Sequence, residues 1–331
     1  MIRLFALLNV HKLNIWLIVG SLFLVGCSSK GVWREQVSNL HQLPAAVELE
    51  NTPFFPQTRY HCGPAALATI LSATGVDTVP DELTPYVYLP ERKGSLQVDL
   101  VATTRRFQRF PYELTGSLDV LFAEVANNQP VLVMQNLGFD WLPQWHYAVV
   151  VGYDLERETV TLRSGEEKRH VVPIYTFDKT WARAKRWAMV AAPPERIPVS
   201  ADADQYVRVV HEVEKLHPEI AVSAYGHAIE RWPDNALIWL ALGNVLYSQQ
   251  QYQGSVTTYR EALRFHPDNE QLWNNYAYAL NSVECGEASR AAIHCAVRIK
   301  PNDPLLIDSL YELHQHNTKT ALLCDVVHCP L

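Results

Sequence analysis

Residues 57–64 read Gln57-Thr58-Arg59-Tyr60-His61-Cys62-Gly63-Pro64, and the apolar positions Ala65, Ala66, Leu67, Ile70 and Leu71 follow. Gly63 allows a tight entry and Pro64 suits a first helical turn, so the spacing predicts a helix that opens at Cys62. Far downstream stands Trp145-His146-Tyr147-Ala148-Val149-Val150-Val151-Gly152-Tyr153, a histidine at the head of a β-branched run. That run predicts a strand. Together the two stretches hold the parts that Cys/His chemistry needs. A thiol at a helix N-terminus meets the positive end of the dipole, which predicts a depressed pKa for Cys62. A strand holds the base His146 rigidly. Gln57, five residues before the cysteine, offers a side-chain amide beside the backbone N–H of Cys62, a pair of donors for a tetrahedral oxyanion.

Each of these residues also has a plain structural reading. Cys62 alone is a buried apolar residue, Gln57 a surface amide and His146 a core histidine. His61 is a rival base, but neighbours in sequence point apart. His170 sits in the charged stretch Glu166–Arg169 and reads as a solvated residue. The chemical reading rests on the combination.

The chain of 331 residues is long enough for two domains after a leader. Its formal charge of −7 argues against nucleic acid as the main partner. Arg3 and Lys12 precede the apolar run Ile15-Trp16-Leu17-Ile18-Val19-Gly20-Ser21-Leu22-Phe23-Leu24-Val25, as in a secretory signal. The run is short of the roughly 20 apolar residues of a membrane span. Leu24-Val25-Gly26-Cys27 then resembles the lipobox of bacterial lipoproteins, which implies cleavage of residues 1–26 and lipidation of Cys27. Several acyl chains hold a protein on a bilayer where one is marginal. Ser28 after the cysteine implies, by the same resemblance, sorting to the outer membrane on its periplasmic side.

Residues 27–50 read as a tether, 51–192 as a domain that mixes helix and strand patterns, and Pro193–Ala201 as a linker rich in proline. Residues 202–331 are helical and repeat. Pro233, Pro267 and Pro301 stand 34 residues apart, as do Ala228, Ala262 and Ala296. Tyr225, Tyr259 and Ile293 match, preceded by Ala221, Ser255 and Ser289, and Trp239 matches Trp273. Small residues let paired helices approach, aromatics fill between them and proline ends the second helix. The period and pattern resemble tetratricopeptide repeats. Residues 236–301 make two clear units, 202–233 a weaker first one, and 304–331 a capping helix.

Residues 51–192 resemble the bacteriocin-processing, double-glycine-leader peptidases, a compact branch of the papain-like cysteine peptidases. Gln57, Cys62-Gly63-Pro64 and His146-Tyr147-Ala148-Val149-Val150 carry the likeness, and the Cys-to-His separation of 84 residues suits the compact branch. The resemblance implies an α+β papain-like domain ahead of the all-α repeats, peptide-bond cleavage through a Cys62 thioester with His146 as base, and no cofactor or metal. Partners would be a peptide or protein substrate, a protein docked by the repeats, and the membrane through the lipid anchor.

One position departs from the family. An Asp-Pro segment usually orients the imidazole; here Thr161-Leu162-Arg163-Ser164-Gly165 stands in its place, so Ser164 takes the third catalytic position without a charge. Asp154 is nearer in sequence but falls in a turn. The departure leaves two rivals open: a non-catalytic peptide-binding or assembly lipoprotein with a degenerate site, and a different thiol acyl transfer on another substrate. Four cysteines remain for the C-terminal third. In an oxidising compartment they can pair. Cys324 and Cys329 are close enough to close a small loop, Cys285 and Cys295 alternatively read as buried apolar residues, and zinc is weaker because no Cys-x-x-Cys pair exists.

Overall fold

The computed structural model describes residues 42–57, 61–315, 324 and 326–329. The expected leader 1–26, the lipidation site Cys27 and most of the tether lie outside the described residues. The tether ends sooner than the sequence suggests, because Ala46–Glu48 is already a strand, β1, of the sheet. The elements that follow are α1 (Cys62–Ala73), α2 (Pro80–Val87), a 3-10 turn (Pro90–Arg92), α3 (Gln97–Arg106), β2 (Phe110–Glu113) and α4 (Leu118–Ala126). Then come β3 (Val131–Asn136), β4 (Trp145–Asp154), β5 (Thr159–Ser164), β6 (Glu167–Pro173), α5 (Ile174–Ala182) and β7 (Ala188–Ala192). Every strand pair is antiparallel, in the order β2-β7-β3-β4-β5-β6, with β1 against the far end of β4.

Alternation along β4 builds two apolar layers. Tyr147, Val149 and Val151 face α1, whose Leu67, Ile70 and Leu71 are buried with them. Ala148, Val150 and Tyr153 face the opposite core, with Phe122 of α4 and Phe177 and Trp181 of α5. A bulge between Val150 and Gly152 inverts the parity, which is why Val151 and Tyr153 lie on different faces. Helix α1 is buried from Gly63 to Leu71, on all sides rather than along one stripe. Gly63 is required by contact: a Cβ there would meet Ser95 Oγ at 2.1 Å.

The remaining helices are α6 (Ala203–Glu214), α7 (Pro218–Arg231), α8 (Ala236–Ser248), α9 (Tyr252–Phe265), α10 (Glu270–Ser282), α11 (Gly286–Ile299) and α12 (Pro304–Gln315). They pack as the 34-residue pattern requires, and their hydrogen bonds repeat with it. Trp239 Nε1 donates to Pro233 O and Trp273 Nε1 to Pro267 O, both at 2.8 Å. Ser255 Oγ donates to Gly243 O at 2.9 Å and Ser289 Oγ to Ala277 O at 2.8 Å. Tyr225, Tyr259 and Ile293 are buried between paired helices. Asn235 and Asn269 cap α8 and α10 by accepting from Leu237 N and Leu272 N.

Two expectations for the C-terminus are corrected. The capping helix stops at Gln315 among the described residues, and 326–329 carry no helix. The cysteines pair across the end of the stack, Cys285 with Cys324 and Cys295 with Cys329, so Cys324 and Cys329 close no small loop together. The reason is local: both partners on the repeat side, at the start and in the middle of α11, are buried beneath the returning tail.

The join at Pro193–Ala201 is packed rather than free. Glu124 of α4 accepts from Ser200 N and Ser200 Oγ at 2.9 and 2.6 Å. Arg231 of α7 donates to Pro198 O and Val199 O. One apolar cluster runs from Phe110 and Val190 in the sheet through Tyr206 and Val210 to Tyr225 and Ile238 in the repeats. The full chain is therefore expected to unfold in one calorimetric transition that covers the sheet and the first repeat. Tyr206→Ala should lower it by the equivalent of about 3–5 kcal/mol. Two well-separated transitions, with only the later helices affected by the substitution, would contradict a shared core.

Candidate active site

Cys62 is the first residue of α1 and is partly exposed. It lines a groove of about 1040 Å³ together with Gln57, His146, Tyr147 and Gly165. Of the four positions that sequence reasoning joined, Gln57, Cys62 and His146 line this one groove, and Ser164 reaches it through the imidazole. His146 Nε2 lies 2.8 Å from Ser164 Oγ. This contact leaves Nδ1 as the ring nitrogen for proton exchange with a thiol. For Nδ1 to accept a proton, Nε2 must carry the hydrogen and donate it to Ser164 Oγ.

The rival partners are elsewhere. Asp154 ends β4, and its Oδ1 accepts from Glu156 N and Arg157 N, so it caps the β4–β5 turn. His61 stacks on Tyr88 with ring centroids 4.8 Å apart. His170 sits on β6, with Nδ1 2.9 Å from Glu167 Oε2.

A single hairpin turn fixes both the imidazole and the glutamine. Gly165, at φ +59°, is the first central residue of the two-residue turn between β5 and β6. Glycine suits that left-handed position. The turn presents Ser164 to His146 and the carbonyl of Gly165 to the backbone N–H of Gln57, at 3.0 Å. Gln57 Oε1 is buried without a hydrogen-bond partner, so the side-chain amide is not spent on other protein groups through that atom.

Sequence reasoning missed Arg163, one residue before Ser164. It is buried and donates to the carbonyls of Glu50, Thr52 and Lys168. It binds the lead-in to Gln57 against the end of β5. An arginine inside the strand pattern Val160–Leu162 was the available signal, because a charge in a central strand needs dedicated acceptors. Tyr147 was missed as well; its hydroxyl donates to Ser95 O at 3.3 Å and ties β4 to the opposite wall.

The electrostatics correct one expectation. Burial pushes the Cys62 thiol up, against the smaller opposing effect of backbone hydrogen bonds at Tyr147, Gly63 and Cys62 itself. Desolvation of the thiolate outweighs the helix terminus. His146 is lowered to about 4, first by burial and then by the positive field of His170. Both members of the pair rest neutral at pH 7. Among the described residues, no cluster of three or more His, Cys, Asp or Glu is arranged to hold a metal ion.

Residues 40–189 match the Peptidase_C39 like family, and residues 206–270 and 240–304 match a tetratricopeptide repeat. The chain thus joins a C39-peptidase-like α+β domain to tetratricopeptide repeats. Among solved structures, a C39-like peptidase from Bacillus anthracis is 19% identical with a TM-score of 0.38, covering 44% of this chain and 96% of its own. The peptidase domain of Streptococcus ComA, a bi-functional ABC transporter involved in a quorum sensing pathway, is 17% identical with a TM-score of 0.35, covering 43% of this chain and 99% of its own. The Arabidopsis OM64 tetratricopeptide domain is 14% identical with a TM-score of 0.31, covering 34% of this chain and 93% of its own. No curated protein matches the chain at a significant level.

The neutral resting pair sets a testable pH dependence. Alkylation of Cys62 by iodoacetamide in the folded chain should have its midpoint above the ordinary thiol value of about 8.5. Ser164→Asp should move that midpoint down by a unit or more, because a carboxylate on Nε2 stabilises imidazolium and, through it, the thiolate; one unit is about tenfold in thiolate fraction. A midpoint unchanged by Ser164→Asp would remove Ser164 from the partnership.

Proposed function

We propose that the chain is a periplasm-facing lipoprotein cysteine peptidase. The observation that supports this reading is the one groove lined by Gln57, Cys62 and His146, with Ser164 hydrogen-bonded to the imidazole. The thiol Sγ attacks the carbonyl carbon of a peptide bond while Nδ1 of His146 takes its proton. The oxyanion is held by the Gln57 amide and the Cys62 N–H, each worth about 3 kcal/mol in the transition state by analogy with other oxyanion holes. Collapse gives a thioester, and the leaving amine takes the proton back from His146. Water, deprotonated by the same imidazole, then releases the acid and restores the thiol.

A histidine lowered to about 4 is unprotonated over the whole neutral range but is a weak base for a raised thiol, so on this reading substrate must strengthen it before it takes the proton. The ion pair forms only as substrate arrives and supplies its own dipoles. A second reading rests on the same facts: with Ser164 uncharged and the thiol raised by burial, the groove is a peptide-binding site that no longer turns over.

The repeats support a protein partner. Their inner face forms a groove of about 570 Å³, lined by Arg208, His211, Asn244, Asn275 and Asp303 among others. Lipidation at Cys27 would keep both grooves near a bilayer surface.

Active-site labelling separates the two readings. An electrophilic peptide probe should modify the full chain at Cys62 and leave Cys62→Ala unlabelled, and peptide cleavage should fall at least about a hundredfold in His146→Ala, since the base contributes on the order of 10²–10⁴. No labelling and no cleavage would refute the peptidase reading. For the anchor, Cys27→Ala is expected to accumulate unprocessed protein outside the outer-membrane fraction. Unchanged sorting and processing would refute lipidation.

A further inference from the structure

The loop between β3 and β4 exposes apolar surface that the fold does not need. Leu137, Phe139, Trp141, Leu142 and Trp145 lie within nine residues, and each is between 50 and 79% exposed. Scattered apolar residues on a surface need no explanation, but a contiguous cluster of large ones marks a binding face.

The cluster is held in shape. Asn136, itself buried, accepts on Oδ1 from Gly138 N at 3.0 Å and Gln144 N at 2.9 Å. Leu137 N donates to Gln144 O, and Phe139 and Leu142 exchange backbone hydrogen bonds across the tip. Arg183, at the C-terminal cap of α5, donates twice to Asn136 O and braces the stem. Gly138 is demanded by the close approach, since a Cβ there would lie 2.4 Å from Leu142 O. Phe139 and Trp141 stack with centroids 5.7 Å apart. A preformed apolar face binds with less entropy lost to ordering than a mobile loop.

Leu137 and Trp145 also line the groove that holds Cys62 and His146, so the exposed face is continuous with the site. We propose that this hairpin is the docking site for an apolar stretch of the polypeptide presented to Cys62. The proposal rests on the reading of the groove as a peptide channel and adds what the channel selects: a segment with large apolar side chains beside the bond at Cys62. Charge favours a polypeptide over a bilayer as the occupant. Residues 137–145 contain no Lys or Arg, Asp140 sits at the tip, and the chain carries −7. The hairpin itself offers no cation to anionic headgroups, Arg92 and Lys93 lying in the adjoining groove instead.

The test uses the full chain carrying Cys62→Ala, so that binding is measured without turnover. The probes are two fluorescein-labelled synthetic peptides of equal length and charge, one with Phe and Leu at alternate positions and one with Ser at the same positions. Phosphatidylcholine vesicles are the third probe. The apolar peptide should bind about tenfold tighter than the Ser peptide, as expected for burying an aromatic side chain. Adding Phe139→Ser and Trp141→Ser should abolish that preference while the circular dichroism spectrum and thermal midpoint stay unchanged. Equal binding of the two peptides would overturn the proposal, as would a preference that survives the double substitution. Vesicle binding that disappears with the double substitution, without any peptide preference, would assign the face to a bilayer instead. Alkylation of Cys62 in the unsubstituted chain is a separate readout: an inert thiol together with hairpin-dependent peptide binding refutes the peptidase chemistry and leaves the docking site standing.

Discussion

The buried guanidinium of Arg163 is the constraint on which the site depends. The segment from Leu49 to Gln57 carries little regular structure after β1, so nothing in its own backbone fixes its course. Arg163 supplies the fixed point by donating to several of its carbonyls from inside the sheet. Burial lowers the arginine's pKa, and the nearby Glu48 carboxylate opposes that shift. Even so the group stays cationic, because arginine does not deprotonate in proteins. A cation in that position prefers charge-assisted bonds to carbonyls over any apolar packing. The next two residues then do the rest: Ser164 meets the imidazole and Gly165 meets the backbone of Gln57. Three consecutive residues at one strand end thus hold the lead-in from Leu49, the imidazole of His146 and the backbone of Gln57.

That arrangement holds the imidazole with a hydroxyl at the position where the resemblance to the peptidase family places a carboxylate. A carboxylate on the imidazole does two things, orientation and charge stabilisation. Ser164 at 2.8 Å retains the first and gives up the second. In a desolvated groove the loss of charge matters, because both the thiolate and the imidazolium must otherwise be stabilised by fixed dipoles. The helix terminus at Cys62 and the N–H of Tyr147 favour the thiolate, but burial outweighs them. On the peptidase reading, proton transfer then belongs to the encounter with substrate rather than to the resting protein.

Much of this was legible in the sequence, and the rest was hidden for identifiable reasons. The repeats were readable because matched packing positions recur every 34 residues and each has one structural job, as the paired Trp239 and Trp273 hydrogen bonds show. That Gln57, Cys62 and His146 line one groove accords with residue types that rarely coincide by chance. Ser164 was readable only by placing it where another chemistry was expected. The thiol's raised pKa was not readable, since the sign depends on how fully α1 is covered: a surface helix of the same sequence would have favoured the thiolate. The disulfide pairing was equally hidden, because loop length along the chain does not reveal that the tail folds back over α11. Nor did composition reveal the hairpin face, because Leu137 to Trp145 have the apolar content of a core segment and only the fold turns them outward.

The two edges of the sheet show why the repeats belong to the same body as the site. An open edge strand offers unpaired backbone groups to other chains. At one end β6 protects itself with Glu167, Lys168 and Arg169, all exposed, and Arg169 pairs with Glu48. At the other end β2 is Phe110-Pro111-Tyr112-Glu113, which has too little charge for that defence. Helix α6 covers it instead. Gln205 Nε2 donates to the edge carbonyl of Glu113 at 2.8 Å, and Tyr112 Oη accepts from Asp202 N and donates to Gln205 Oε1. The first repeat is therefore the cover of a sheet edge as well as the start of a stack. Because Tyr206 and Val210 of the same helix belong to the core behind the sheet, the repeats cannot swing without opening that core. The position of the repeats relative to the sheet is therefore set by packing rather than by the length of a linker.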